Sequence, residues 1–354
     1  MEFLVKLCTS PVRSSYREVV AKKLAAEINQ RCTARGEERG IQGFNEKAGE
    51  YAIDLGRALR LINENHTWTE RGQLLDLIAD VNVNGASPEQ QIALNGAEKL
   101  LHFRIFLEGD GGAILFLARY FLENHAIANL HSPDTVNHIA QEMFIEVLSQ
   151  YLDLTDAPPE RVKLRRYIDG LKAKPFIGKG GTHKLKLHLQ TLYRLGFLQL
   201  DGPCYGFPKD NAHPGKSLLA ALCDEIPDVI ALEKIIQSKR SLEVAANIFN
   251  LSGVAPSIPQ LDDIIPVIVS YYSRIMANGT PLAALSTLIE AVQIRCLING
   301  RGNVSFDALQ ALIVQAQKEN TKDIRFHVDR RGRPAFLKLS SRFIETFSDS
   351  KVVA

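Results

Sequence analysis

Ten lysines and arginines fall between Arg161 and Arg194, with Asp169 as the lone acid among them. The whole chain of 354 residues carries a net charge of only +2, so the remainder is on balance acidic. Concentrated positive charge on an otherwise near-neutral protein selects a polyanion, most often nucleic acid. Lys163, Arg165, Arg166, Lys172, Lys174 and Lys179 have the chemistry of phosphate contacts. Lys184, Lys186, Gln190 and Arg194 follow at near-helical spacing. Glutamine bonds adenine and arginine bonds guanine in a major groove, so these four are the candidate base-edge or groove contacts of a duplex. A second cluster, Arg330, Arg331 and Arg333, brackets Gly332. Arginines at such a turn enter a minor groove or clamp phosphates.

Other chemistry finds less support. None of the nine histidines sits in H-E-x-x-H or pairs with a cysteine at metal-ligand spacing. His183 and His188 are five apart, which separates them on a helix. Glu108 and Asp110 lack a wider ligand set and read as a solvated turn, not a cation site. His213-Pro-Gly-Lys-Ser217 resembles the end of a phosphate-binding loop, but Asp210 stands where its first glycine belongs. There is no G-x-S-x-G, and Leu232-Glu233-Lys234 lacks the strand a nuclease E-x-K needs. The expectation is a non-catalytic protein with no metal and no cofactor. A nuclease assembled from scattered carboxylates and lysines is the enzymatic alternative.

Cys8, Cys32, Cys204, Cys223 and Cys296 are dispersed and form no C-x-x-C, which points to reduced thiols and a cytoplasmic location. The N-terminal stretch is too polar for a signal peptide. No apolar run reaches membrane-spanning length, so no membrane partner is expected.

These side chains need elements to hold them. Helices are predicted over Tyr16–Gln30, Tyr51–Ile62 and from Thr67 onward. Two more follow on either side of Glu108–Gly112, then Thr135–Leu152, with a boundary at Thr155-Asp-Ala-Pro-Pro. The basic span predicts a helix over Arg161–Leu171 and a turn at Gly178-Lys-Gly-Gly. A second helix follows over His183–Leu195, capped by Thr182 and stopped by Gly196. Its apolar stripe is Leu185, Leu189 and Leu192, while Lys186, Gln190 and Arg194 lie opposite. His183–Leu189 also alternates at period two, the pattern of a strand. Phe197–Leu200 and Tyr205–Phe207 flank Asp201-Gly202-Pro203 as a hairpin. Helices are further predicted over Ser217–Ser238, Ser241–Asn250, Asp262–Met276, Leu282–Ile298 and Phe306–Glu319, the last capped by Ser305. Ile324–Val328 and Ala335–Leu339 make a second hairpin, with the arginines at its tip.

Basic helix, turn, helix and hairpin is the order of a winged helix. Leu-Gly-x-Ala-Leu-x-Leu-Ile at 55–62, a polar turn, then Thr69-x-x-Gly72-x-x-Leu75 resembles prokaryotic winged-helix proteins over about 30 residues. More loosely, the chain is similar to accessory proteins of bacterial mobile-element and phage-defence loci. The fold class expected is therefore mainly α with short β-hairpins, as tandem winged-helix modules joined by helices. Residues 1–155 would form an N-terminal helical domain with one such module, and 156–252 the basic winged helix with following helices. Residues 253–354 would form a helical module ending in the basic hairpin. The function expected is duplex-DNA binding, and the looser resemblance implies a place in a multi-subunit antiviral defence or mobile-element complex. Its rival is a scaffold subunit whose winged helices dock protein partners.

Overall fold

The computed structural model describes residues 53, 56–57, 59–64, 67–78, 96–124, 128–129, 132–174, 179–201, 204–207, 214–251, 257–277 and 282–348. The side chains of 76, 128–129, 179–184, 201, 277 and 348 are outside that description. The predicted helix over Tyr16–Gln30 lies outside the described residues.

In chain order the elements are α1 (Glu70–Ile78), α2 (Gly96–Asn124), β1 (Ala128–Asn129), α3 (Pro133–Leu154), α4 (Pro158–Lys172) and α5 (Lys179–Leu195). Then come β2 (Gln199–Asp201), β3 (Cys204–Gly206), α6 (Pro214–Glu225), α7 (Val229–Gln237) and α8 (Ser241–Ile248). The series closes with α9 (Leu261–Ala277), β4 (Ala283–Ala284), α10 (Leu285–Ile298), α11 (Phe306–Glu319), β5 (Ile324–Val328), β6 (Pro334–Leu339) and α12 (Ser341–Ser348). The described chain is mainly helical with short antiparallel strands. Among the described residues no helix is long and apolar enough to cross a membrane.

Local chemistry explains most boundaries. Ser132, Asp228 and Ser305 each accept a backbone N–H three residues on, opening α3, α7 and α11. α5 ends where Gly196 takes a φ of +87°, and Phe197 N–H closes back on the Leu192 carbonyl at 2.9 Å.

Three expectations are corrected. α5 begins at Lys179, so Gly180 and Gly181 lie inside the helix and Thr182 is not its cap. His183–Leu189 is helical, and the strand alternative fails. The span Ser217–Ser238 is two helices, because Pro227 and the Asp228 cap interrupt it. The break expected at Glu108–Gly112 is present as a kink in α2, where Asp110 takes a non-helical φ of −153° and ψ of 36° between two helical halves.

By contact the described residues form two compact units. One gathers residues up to Leu101 with those from Leu251; the other runs from His102 to Asn250. In the second unit α3 is the platform: α4, α5, α7 and β1 all pack on it. Phe103, Phe197 and Phe249 meet with ring centroids 5.1–5.6 Å apart and anchor its core. Its sheet has the order β1-β3-β2, all antiparallel. In the other unit α9 and α10 pack on each other and on α1. Its sheet order is β4-β6-β5, again antiparallel. Both units thus place a two-residue strand before their helices and pair it with the last strand of a hairpin.

Candidate nucleic-acid interface

α4 starts with Pro158 and Pro159, whose missing N–H groups cost nothing in a first turn. It buries only Ile168 and Leu171. Lys163, Arg165, Arg166 and Lys172 are exposed, as is Lys174 just beyond. α3 holds the far end of this helix. The Gln141 side-chain amide donates to the Leu171 carbonyl at 2.7 Å and to the Lys174 carbonyl at 2.8 Å. Carbonyls at a helix end lack the regular bond from four residues on, and the Leu171 carbonyl also accepts the Lys174 N–H at 3.2 Å.

α5 is amphipathic by the same logic. Leu185, His188, Leu189, Thr191, Leu192 and Leu195 are buried. Gln190 and Arg194 are exposed and Lys186 is partly so, at four-residue spacing on one face. Lys179 lies in the first turn of α5 and Lys184 in its second; their side chains are outside the described residues. Gln190 is not free of the fold. Its amide donates to the Tyr205 hydroxyl on β3, opposing the upward push that burial gives that phenol. The Tyr193 and Tyr205 rings meet edge to face at 6.0 Å. The hairpin is therefore fixed to the helix beside it.

Sequence reasoning missed what anchors α5 on its buried side. His188 Nε2 lies 2.8 Å from Asp110 Oδ2, at the irregular residue of α2. Two positions earlier, Glu108 accepts from Arg104 Nε at 2.9 Å and from Ser241 Oγ at 2.5 Å. Glu108 is largely buried and bonded, while Asp110 is half-exposed and bonded to His188. The only hint in the sequence was that His188 falls on the leucine stripe. Nearby, the Tyr151 hydroxyl donates to Glu233 at 3.4 Å. Burial, then Glu233 and Asp110, push its pKa up to about 12. Among the described residues no three His, Cys, Asp or Glu side chains are grouped to hold a metal ion.

The C-terminal cluster lies on the β5–β6 hairpin of the other unit. Asp329 organises its tip. One carboxylate oxygen accepts the backbone N–H groups of Arg331 and Arg333 at 2.8 and 2.9 Å. The other accepts Arg333 Nε and Nη2 at 3.0 and 2.9 Å. These bonds hold the Asp329 carboxyl below its ordinary range, the backbone N–H of Arg333 contributing most. Gly332 takes the positive φ, +75°, that the turn requires. Arg333 is thus engaged in the turn, while the Arg330 and Arg331 side chains are exposed.

Comparison of the chain with family models, with curated proteins and with solved structures finds no match.

Proposed function

We propose that this chain is a duplex-DNA-binding protein built from tandem winged-helix modules, with α4, α5 and the β2–β3 hairpin as its contact surface. Helix, short strand, helices and hairpin, with the first strand against the third, is winged-helix order. The element and strand order of both units supports that reading. In the second unit α4 is an additional helix within that order.

The observation that carries the reading is the exposure of the basic span once folded. Lys163, Arg165, Arg166 and Lys172 stand on α4 with Lys174 beyond, and Lys186, Gln190 and Arg194 share one face of α5. Eight such groups suit a phosphate backbone and base edges.

A gel-shift titration of a 30-bp duplex at 50 and 200 mM salt tests this. With six or more phosphate contacts, affinity should fall about 10³-fold. The double variant Lys186→Glu, Arg194→Glu should weaken it at both salts. Binding that ignores salt, or none to any duplex, sinks the proposal.

A scaffold role has one observation in its favour. Val162 and Tyr167, apolar or aromatic, stand 50% and 62% exposed on α4 among the basic residues. In nuclease-treated purifications from the native host, a partner kept by the wild type and lost in Val162→Glu, Tyr167→Ala supports docking. No retained partner removes it. A place in a defence or mobile-element complex rests on the resemblance alone.

A further inference from the structure

The β5–β6 hairpin has a second face beyond its arginine tip. Ile324, Leu337 and Leu339 turn inward and are buried. The alternate residues, Arg325, His327, Phe336 and Lys338, turn outward and are all exposed. The register sets Arg325 directly opposite Lys338 and His327 directly opposite Phe336. Directly opposed residues have Cβ atoms about 5 Å apart, and a like-charged pair in that position destabilises a sheet. No acid on the hairpin relieves it. Asp329 is bonded to Arg333, and Asp323 accepts the Ser340 hydroxyl at 2.5 Å. Phe336 lies on the central strand, between His327 and Ala284. The alanine is too small to cover its ring, which stays 39% exposed.

We propose that this outer face binds single-stranded DNA, with an unpaired base stacked on Phe336 and the flanking phosphates on Arg325, Lys338 and the tip residues Arg330 and Arg331. A polyanion turns the repulsion of Arg325 and Lys338 into attraction. The aromatic ring selects the strand form. A duplex keeps its base faces inside the stack, whereas an unpaired base offers one to any exposed ring. His327 adds a donor beside the stacked base. The site is separate from the duplex surface on α4 and α5, and it stands whether or not that surface binds duplex.

The test is fluorescence anisotropy of the full chain with labelled dT20, rU20 and a 20-bp duplex. Phe336→Ala should weaken dT20 binding about tenfold and leave duplex binding unchanged. Phe336→Tyr should restore dT20 binding. Arg325→Ala, Lys338→Ala should also weaken dT20, without lowering the melting temperature, because it removes a repulsive pair. Lys186→Glu, Arg194→Glu should leave dT20 binding intact. Unchanged dT20 affinity in both hairpin variants overturns the proposal, as does tight binding of rU20 with none of dT20. Loss of duplex binding alone, in the α5 variant, would instead be a result about the other surface.

Discussion

His188 and Asp110 join α5 to the irregular residue of α2 through a 2.8 Å hydrogen bond. His188 is almost fully buried, at 3% side-chain exposure, while Asp110 is 51% exposed. The pair therefore orients α5 from beneath, as Gln190 and Tyr205 do from the hairpin side. Asp110→Ala removes the carboxylate from a buried imidazole. A hydrogen bond of this kind contributes about 1.5–3 kcal/mol, which the exposure of Asp110 reduces to about 1 kcal/mol. Urea denaturation should show that loss, and duplex affinity should fall with it because α5 loses its seat. Unchanged stability and affinity would show that packing alone orients the helix.

His102 predicts an acid-sensitive core. It is fully buried and neither ring nitrogen has a hydrogen-bond partner. Burial lowers its pKa from 6.5 to about 3. The unfolded chain takes up a proton near 6.5 and the folded chain only near 3. The native state therefore loses stability steadily as pH falls through that window. His102→Leu should flatten the dependence and raise stability at pH 7 by about 1–2 kcal/mol, since no buried donor is left unsatisfied. Urea midpoints at pH 7 and pH 5 check both. Equal losses in the two proteins would refute the prediction.

Gly72 predicts a steric limit. A Cβ there would lie 2.1 Å from the Leu61 carbonyl oxygen and 2.6 Å from the Trp68 ring. Thr69 sets the same approach, its hydroxyl donating to the Leu61 carbonyl at 3.1 Å and accepting Gly72 N–H at 3.2 Å. Gly72→Ala must move backbone, at a cost of about 3 kcal/mol. Trp68 is the chain's single tryptophan, so its fluorescence reports the unfolding of this region directly. An unshifted denaturation midpoint contradicts the close approach.

Tyr151 predicts a late step at the alkaline end. Its pKa is raised to about 12 by burial and by Glu233. The raised value means its contribution is complete below pH 10 and is lost as pH rises through 12. An ultraviolet titration of the folded protein should show a phenol ionising near 12 that is absent in Tyr151→Phe. If both proteins finish ionising near pH 10, the Glu233 contact is not made.

What could be read from the residues was what neighbours in the chain determine. Ser305 fixes the start of α11 because its partner is three residues away, and Gly196 stops α5 by its own backbone conformation. The amphipathic face of Lys186, Gln190 and Arg194 follows from spacing alone. What could not be read depends on distant partners. The partners of Glu108 and Asp110 could not be read because Ser241 and His188 lie 133 and 78 residues away. β1 and β4 have two residues each, too few for a period, and only β3 and β6 make them strands. α5 runs through two glycines despite their low propensity, because the leucine stripe packed on α3 outweighs a weak local preference.

The division of the chain sets an order of events during synthesis. α1 is held by Arg274, which donates to the Leu77 carbonyl across 197 residues, and by Ser286, which donates to Glu70 across 216. At about 5–20 residues per second, Ser286 follows Glu70 by about 10–40 s. The unit from His102 to Asn250 is contiguous and leaves the ribosome complete within that interval. Leu74, Leu75 and Leu77, buried in the finished protein, wait uncovered while it folds. The nascent chain therefore carries a folded unit behind an unfinished apolar segment, which is a substrate for chaperones that bind emerging hydrophobic stretches.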